Sequence, residues 1–242
     1  MNKVSVDLDA PSPYIEPETA LYRARRRMTY RFAMDFISRH VKREDRFDLL
    51  EIGTGSGYFL KFVKSEFPHA NLHGIEYDPR LLETTRTRAP FADCVQGNAE
   101  AFDYAGRTFD VIVSFQVIEH LFAPEALLAN VRRHLRPGGI FIVTTPNLHG
   151  LGARTMGRAW QGFRDDHVSL KGFDQWKAFI TAQGFKPDYC GSTFFSGIPV
   201  LNRLPLGLFN WTLLALFGSL RWKHGEAFVG VFQTDPAHPG AT

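Results

Sequence analysis

The chain has 242 residues, of which 44% are hydrophobic, and carries a net charge of +3. This length suits one large α/β domain or two small ones, and such a small net charge does not favour a nucleic-acid-binding protein. The only cysteines, Cys94 and Cys190, lie far apart without metal-binding spacing, which favours a reduced, intracellular protein and predicts a cytoplasmic location.

The N-terminal residues 1–16 have no apolar core of the kind that a secretory signal requires. They predict a flexible arm in front of a single domain that covers residues 17–242. Residues 17–40 predict a helix, because Pro17 suits its first turn and apolar residues such as Phe32 and Phe36 can share one face.

The stretch LLEIGTGSGYF, residues 49–59, predicts a buried strand, a glycine turn and the start of a helix over 58–67. Gly53, Gly55 and Gly57 permit a tight turn and let a ligand approach the backbone where a Cβ atom would clash. The helix would point free N–H groups and the positive end of its dipole at that ligand.

The remaining pattern alternates strands with helices. Strands are predicted within 71–79, 92–100, 109–115, 136–147 and 226–234, and helices at 79–89, 124–135 and 172–184. This alternation predicts a parallel sheet with helices on both faces, in which ligands bind at the carboxyl ends of the strands.

Two ligand classes use a glycine turn at this position. Dinucleotide enzymes use G-x-G-x-x-G, but Tyr58 stands where their third glycine belongs, which disfavours a nicotinamide oxidoreductase. The spacing present is G-x-G-x-G, preceded by Glu51 and followed by Glu76 at the next strand end, by GNAE (97–100) and by LRPGG (135–139). This combination resembles the class I S-adenosylmethionine (SAM) methyltransferases, over about residues 47–147 and more weakly to residue 190.

The resemblance implies a three-layer, doubly wound, mostly parallel seven-stranded sheet and SAM as the cofactor. It also implies a set of cofactor-binding residues: Glu51, Gly53, Gly55, Gly57, Glu76, Tyr77, Asn98, Ala99 and Phe115. Within this set, Glu76 would accept hydrogen bonds from the ribose hydroxyls, and Tyr77 would pack on the adenine ring.

Several of these positions keep a second interpretation. Tyr77 alternatively is a surface tyrosine, and Phe115 alternatively belongs to the core. Asn98 stands where the family often has an acid; its amide oxygen would accept from the adenine amino group beside the Ala99 backbone, or would form a simple Asx turn.

The run that begins FQVIEHLF resembles the branch that includes the ubiquinone O-methyltransferases, whose stretch reads E-V-x-E-H. Glu119 and His120 match this pattern, but Gln116 replaces the first acid, which is connected with metal dependence in parts of that group. We therefore predict no metal site; Asp165, Asp166 and His167 are a disfavoured alternative, because adjacent side chains rarely converge on one ion.

The candidate chemistry is methyl transfer to a hydroxyl oxygen of a hydrophobic, sugar-bearing or lipid-linked small molecule. The predicted base is His120 or His167, each of which is alternatively structural. SFQVIEH lacks the proline pair and aromatic residue typical of amino-methylating branches, so N-methylation ranks third. A non-catalytic, SAM-binding regulatory protein is the alternative from another class.

The basic clusters at 23–27 and 132–136 are interpreted as solvated helix faces, so we predict a small-molecule acceptor and no nucleic-acid partner. One N-terminal arginine could instead pair with the cofactor carboxylate. The pattern does not predict an oligomeric state.

An apolar insertion, residues 192–222, precedes the last predicted strand, and residues 148–222 as a whole are assigned to the acceptor side. The insertion is too short and too interrupted for a convincing membrane span. Two interpretations stay open: a segment packed in the core, or an apolar lid over the acceptor site with peripheral membrane contact.

Overall fold

The computed structural model describes residues 12, 19–104, 106–193, 212, 216 and 218–237. Most of the predicted N-terminal arm and most of the 192–222 insertion, including Leu213 and Phe217, lie outside the described residues, so both predictions stand untested. The helices are α1 Ala20–His40, α2 Tyr58–Glu66, α3 Pro79–Arg88, α4 Pro124–His134, α5 Leu151–Met156 and α6 Phe173–Ala182. The strands are β1 Asp48–Ile52, β2 Asn71–Glu76, β3 Asp93–Gln96, β4 Phe109–Phe115, β5 Leu135–Pro146, β6 Phe185–Ser192 and β7 Ala227–Thr234.

The seven strands form one sheet in the order β3-β2-β1-β4-β5-β7-β6. The pairs among β1 to β5 are parallel, whereas β7 runs antiparallel to both β5 and β6. The predicted mostly parallel seven-stranded sheet is confirmed. The strand order reverses between β1 and β4, and in open α/β sheets such a reversal opens a crevice at the carboxyl ends.

Each face of the sheet has its own hydrophobic core, which makes three layers. On one face α1, α2 and α3 cover the sheet, with Phe59 and Val63 of α2 fully buried. On the other face α4 and α6 cover it, with Leu127 and Trp176 fully buried. Side chains of successive strand residues point to opposite faces, which is why β4 contributes Val111 to one core and Ile112 to the other.

The sequence pattern did not predict β6 or α5. Strand β6 lies at the edge of the sheet beside β7, and its register shifts next to Pro187. Proline cannot donate to a sheet, so it masks a strand signal and is tolerated only at such an edge or irregularity. Helix α5 has six residues, too few for a periodic pattern.

No helix in the described part of the chain is both long enough and apolar enough to cross a membrane.

Candidate functional site

The glycine turn after β1 leaves an open space above its backbone. Gly53, Gly55 and Gly57 have φ values of +78°, +53° and +75°, which side chains rarely adopt. A Cβ atom on Gly53 would collide with Val117, but a Cβ atom on Gly55 would meet no atom of the described residues within 4 Å. The described part of the chain therefore does not fill the space over Gly55, which is where a bound ligand can touch the backbone.

Glu76 joins the end of β2 to this turn. One carboxylate oxygen accepts from the Gly55 N–H at 2.7 Å and the other accepts from the Asp78 N–H at 3.0 Å. Burial raises the pKa of the Glu76 carboxyl, and these backbone donors oppose the rise. Because each carboxylate oxygen has two lone pairs, both oxygens can still accept from ligand hydroxyls at the carboxyl end of β2.

Glu51 lies fully buried in β1, directly before the turn. Its Oε2 atom has no hydrogen-bond partner among the described residues. Burial raises its pKa well above the usual value, the Glu76 charge adds to the rise, and Arg26 of α1 opposes it. A buried carboxylate oxygen without a partner is costly, so a ligand ammonium group at this point would satisfy it.

The residues predicted for the adenine end have local partners. Tyr77 is 57% exposed, so its ring is available to a ligand. The Asn98 amide oxygen accepts from the Glu100 N–H at 2.9 Å, which is the Asx-turn arrangement, and Ala99 beside it is buried. The assignment of Asn98 and Ala99 to the adenine ring stays a prediction.

Phe115 ends β4 inside an aromatic cluster. Its ring centroid lies 4.8 Å from that of Phe59, 5.4 Å from that of Tyr30 and 6.0 Å from that of Phe32. These contacts fit the core interpretation of Phe115, and its half-buried edge leaves contact with a ligand open.

Gln116, the next residue, has the only positive φ (56°) among the non-glycine residues that the structure describes. Its side-chain amide donates to Thr144 Oγ1 at 3.3 Å. Strained backbone of this kind persists only where the surrounding structure holds it, and it concentrates at functional sites. Here it redirects the chain at the carboxyl end of the central strand.

A cluster of Glu119, His120 and His167, called the acceptor cluster below, lies beyond this bend. One potential ligand atom from each side chain lies within 4.8 Å of the others. The two imidazole rings are nearly perpendicular, at 84°, with centroids 4.6 Å apart. The two histidines that the sequence offered as alternative bases are therefore neighbours.

Hydrogen bonds across 26 to 50 residues of sequence bring the acceptor cluster together. The Ser169 N–H donates to the Glu119 carbonyl at 2.9 Å, and the Ser169 hydroxyl donates to the Leu121 carbonyl at 2.7 Å. The Thr145 hydroxyl of β5 donates to Glu119 Oε2 at 3.0 Å. These contacts hold the segment around His167 against the 3₁₀ turn Ile118–His120.

Both imidazoles have a defined tautomer. His120 Nδ1 contacts the Asp166 carbonyl at 3.0 Å, and His167 Nδ1 contacts the Gly162 carbonyl at 2.8 Å. A carbonyl oxygen only accepts, so each Nδ1 carries the proton and each neutral ring has a lone pair on Nε2. Burial lowers the pKa of both histidines, which favours this neutral form.

Glu119 is the buried acid of the cluster. Burial raises its pKa to about 8, against the Thr145 hydrogen bond, which lowers it. Its Oε1 atom has no hydrogen-bond partner among the described residues. The cluster thus combines two imidazole lone pairs with a carboxyl oxygen that lacks a partner.

A second buried carboxyl, which sequence reasoning missed, holds the acceptor-side segment in place. Glu226, just before β7, accepts from Trp160 Nε1 at 2.6 Å and from the Gly152 N–H at 2.9 Å. Asn147 adds side-chain hydrogen bonds to the carbonyls of Lys223 and Gly225. No local sequence signal marks these pairs, because their members lie 66 to 78 residues apart.

Exposed apolar side chains lie close in sequence to the acceptor cluster. Phe122 is 65% exposed, Phe163 43% and Val168 42%. Phe122 follows His120 by two positions and Val168 adjoins His167. This apolar surface suits an acceptor with a hydrophobic part.

Comparison with known proteins places the chain among methyltransferases. A family model described as "Methyltransferase domain" matches residues 22–189. A probable S-adenosylmethionine-dependent methyltransferase of Mycolicibacterium smegmatis is 37% identical over 100 residues, 41% of this chain and 38% of that protein. A ubiquinone biosynthesis O-methyltransferase of Parvibaculum lavamentivorans is 31% identical over 175 residues, 67% of this chain and 64% of that protein. The matches to the first three relatives span between 36% and 56% of the relatives' own lengths.

Solved structures show the same fold at low sequence identity. The protein PH0226 from Pyrococcus horikoshii superimposes with a TM-score of 0.64 at 14% identity, over 92% of this chain and 95% of that chain. A TehB-like SAM-dependent methyltransferase from Corynebacterium glutamicum gives 0.56 at 19% identity, over 86% and 88%. The plantazolicin methyltransferase BpumL, solved with a desmethylPZN analogue and SAH, gives 0.60 at 14% identity, over 90% and 86%.

Proposed function

The chain belongs to the methyltransferase domain family, with S-adenosylmethionine as its cofactor, and on that premise we propose that it transfers the SAM methyl group to a hydroxyl oxygen of a small molecule with a hydrophobic part. The acceptor cluster supports this proposal, because two histidines and a buried acid that could act on an acceptor hydroxyl lie together in it. Relatives named as malonyl-[acyl-carrier protein] and ubiquinone biosynthesis O-methyltransferases support an oxygen acceptor.

The residues around the glycine turn fit the cofactor. Glu76 would accept from the ribose hydroxyls, since both of its oxygens have lone pairs beside those used by Gly55 and Asp78. Glu51 would meet the ammonium group of the methionine part with Oε2, which has no hydrogen-bond partner among the described residues. The bare backbone at Gly55 leaves room for the chain that joins these two ends, and Tyr77 would cover the adenine ring.

Methyl transfer from a sulfonium does not require the protein to form covalent bonds with either partner. The methyl carbon leaves sulfur and bonds to the acceptor oxygen, so the positive sulfonium becomes a neutral thioether and the hydroxyl loses its proton. Orientation of the two partners can supply roughly 7 to 11 kcal/mol of the barrier. The remaining task is to remove the hydroxyl proton, and His120 or His167 is suited to it because each ring has a lone pair on Nε2.

The absence of a proline pair in SFQVIEH supports oxygen rather than planar nitrogen as the acceptor atom. The apolar surface at Phe122, Phe163 and Val168 supports an acceptor with a hydrophobic part. The sequence leaves the identity of that molecule open, including whether it is sugar-bearing or lipid-linked.

The test uses SAM with an isotope-labelled methyl group and two matched acceptor pools, one of phenols and alcohols and one of amines. Mass spectrometry should find labelled methyl ethers in the first pool. His120→Ala and His167→Ala should keep the SAM dissociation constant and lose about 10²- to 10⁴-fold in turnover if the replaced ring removes the proton.

Labelled methylamines without labelled methyl ethers would overturn the oxygen assignment. Tight SAM binding with no transfer into either pool or into a cell extract would favour the alternative, a SAM-binding protein that regulates a partner. Near-normal rates in both histidine variants would mean that neither ring is the base.

A further inference from the structure

We propose that the acceptor cluster is a site for one divalent transition-metal ion such as zinc, in which His167 supplies the ligand that Gln116 does not. This inference rests on the proposed function, methyl transfer to a hydroxyl oxygen. It assigns His120 and His167 to the ion and so replaces their role as the base, because a ring nitrogen that binds a metal ion cannot also accept the proton. It also replaces the prediction from the sequence that the chain has no metal site.

The donor set fits such an ion. Two imidazole nitrogens and one carboxylate oxygen are the ligands of many zinc sites that keep an open position for water or substrate. One donor atom from each of the three side chains lies within 4.8 Å of the others. Ligand distances of about 2.0 to 2.2 Å would bring the donors somewhat closer, which small side-chain rotations can achieve.

The hydrogen bonds around the cluster are also those expected at a metal site. Metal-bound histidines usually donate the proton of the other ring nitrogen to a carbonyl or carboxylate, which sets the ring orientation. His120 Nδ1 donates to the Asp166 carbonyl and His167 Nδ1 donates to the Gly162 carbonyl, so both rings are set with the lone pair on Nε2.

Glu119 provides an observation that supports a bound cation independently of the ligand geometry. Its side chain is completely buried, its Oε2 accepts from Thr145, and its Oε1 has no hydrogen-bond partner among the described residues. A buried carboxyl oxygen without a partner is unfavourable, whereas a coordinated cation satisfies it.

The geometry also explains why Gln116 is not one of the proposed ligands. Its side-chain amide already donates a hydrogen bond to Thr144 Oγ1, and its backbone has a positive φ of 56°. His167 instead reaches the cluster from a segment 51 positions further along the chain, held by the two Ser169 hydrogen bonds. The third ligand therefore comes from tertiary structure rather than from the local motif.

An ion held here would lower the pKa of an acceptor hydroxyl in contact with it. Glu119, His120 and His167 would hold the ion, the ion would orient that hydroxyl, and the hydroxyl proton would pass to solvent.

The first measurement is metal content, which does not depend on turnover. Tag-free wild type is stripped with chelator, equilibrated with Zn²⁺ by dialysis, and analysed by elemental mass spectrometry. We expect about one ion per chain, and the Co²⁺-loaded protein should show the intense visible bands of a low-coordinate site. Wild type that retains no Zn²⁺ and leaves the Co²⁺ spectrum as in buffer overturns the proposal, whatever the variants do.

The second measurement compares variants. His167→Ala and Glu119→Gln should weaken Zn²⁺ binding at least about 100-fold, since even the outer hydrogen-bond partners of metal ligands are worth about 10- to 100-fold. Gln116→Gly, which suits the positive φ, and His69→Ala on the exposed turn before β2 should bind Zn²⁺ as wild type does. SAM affinity and circular dichroism monitor folding in every variant.

Equal Zn²⁺ affinity in His167→Ala and wild type, or a loss in Gln116→Gly as large as in His167→Ala, overturns the ligand assignment. If stripped wild type forms methyl ethers at the full rate in chelator, the metal inference fails and the proposed function stands. If the loaded protein methylates only amines, the proposed function fails, and the Zn²⁺ stoichiometry still decides the metal site.

Discussion

The predicted cofactor half of the crevice and its predicted acceptor half are built in different ways. In the cofactor half, the candidate residues lie at or just after the carboxyl ends of strands: Glu51 in β1 with the glycines behind it, and Glu76 at the end of β2. In the acceptor half, the decisive contacts join Glu119 to Ser169, and Trp160 to Glu226, across 50 and 66 residues of sequence. The cofactor half therefore depends on the backbone of consecutive strand–turn–helix units, whereas the acceptor half depends on side chains that meet only after the sheet has closed.

The largest effect that would test this comparison is expected at Gly55. Gly55→Val should weaken SAM binding about 100-fold or more, which corresponds to about 2.7 kcal/mol, because the side chain would enter the open space over the turn. Gly106→Val is the matched control, since Gly106 also has a positive φ, +79°, and no atom of the described residues lies within 4 Å of a Cβ placed on it. Calorimetric titration with SAM should separate the two; equal losses would mean that backbone strain, and not the ligand space, explains the effect.

The next effect concerns Glu76. Glu76→Ala should cost about 1.5 to 3 kcal/mol of SAM binding, because it removes a charged acceptor from the ribose. Glu83→Ala on the exposed side of α3 serves as the control and should bind SAM normally. An unchanged SAM dissociation constant in Glu76→Ala, measured by calorimetry, would remove Glu76 from the cofactor site.

In the acceptor half, Glu226→Ala should act on stability rather than on SAM binding. It leaves Trp160 Nε1 and the Gly152 N–H without their buried acceptor, at a cost of about 1 to 3 kcal/mol in the free energy of unfolding. Urea denaturation is the measurement. Asp174→Ala, which removes an exposed ion pair with Lys223, should cost at most about 1 kcal/mol. If Glu226→Ala is as stable as wild type, the predicted acceptor segment does not depend on Glu226.

The same carboxyl should give stability a pH dependence. Burial raises the Glu226 pKa above its usual value of 4.5, so the folded chain holds this proton at a higher pH than the unfolded chain. The stability that this group contributes is full below pH 4.5 and decreases as the pH rises through the raised folded-state pKa. Glu226→Gln should therefore show a smaller fall in the free energy of unfolding over this range. A pH profile parallel to that of wild type would contradict this assignment.

The smallest effect is expected at Ser169. Ser169→Ala keeps the backbone bond to Glu119 and loses the hydroxyl bond to Leu121, which is worth about 0.5 to 1.5 kcal/mol. We expect a loss of about 2- to 10-fold in turnover with unchanged SAM affinity, whereas Thr155→Ala, which removes a comparable hydroxyl bond within α5, should leave turnover unchanged. Equal rates in both variants would mean that this hydroxyl does not position His167.

The sequence by itself predicted the sheet class, the glycine turn and the acid at the end of β2. These features are readable because strand periodicity, glycine spacing and strand-end acids are local, and because parallel strands bring their carboxyl ends to one edge. The same local information named His120 and His167, but as alternatives, since nothing within either segment encodes the distance between them.

Only the tertiary structure decided that the two histidines are neighbours of a buried Glu119, that Glu226 holds Trp160, and that β6 completes the sheet beyond β7. The physical reason is the same in each case. The partner of a buried polar side chain often lies far away in the sequence, so only the folded chain brings the two together. The edge strand that contains Pro187 has no clear strand pattern of its own, and its pairing with the neighbouring strand decides its structure.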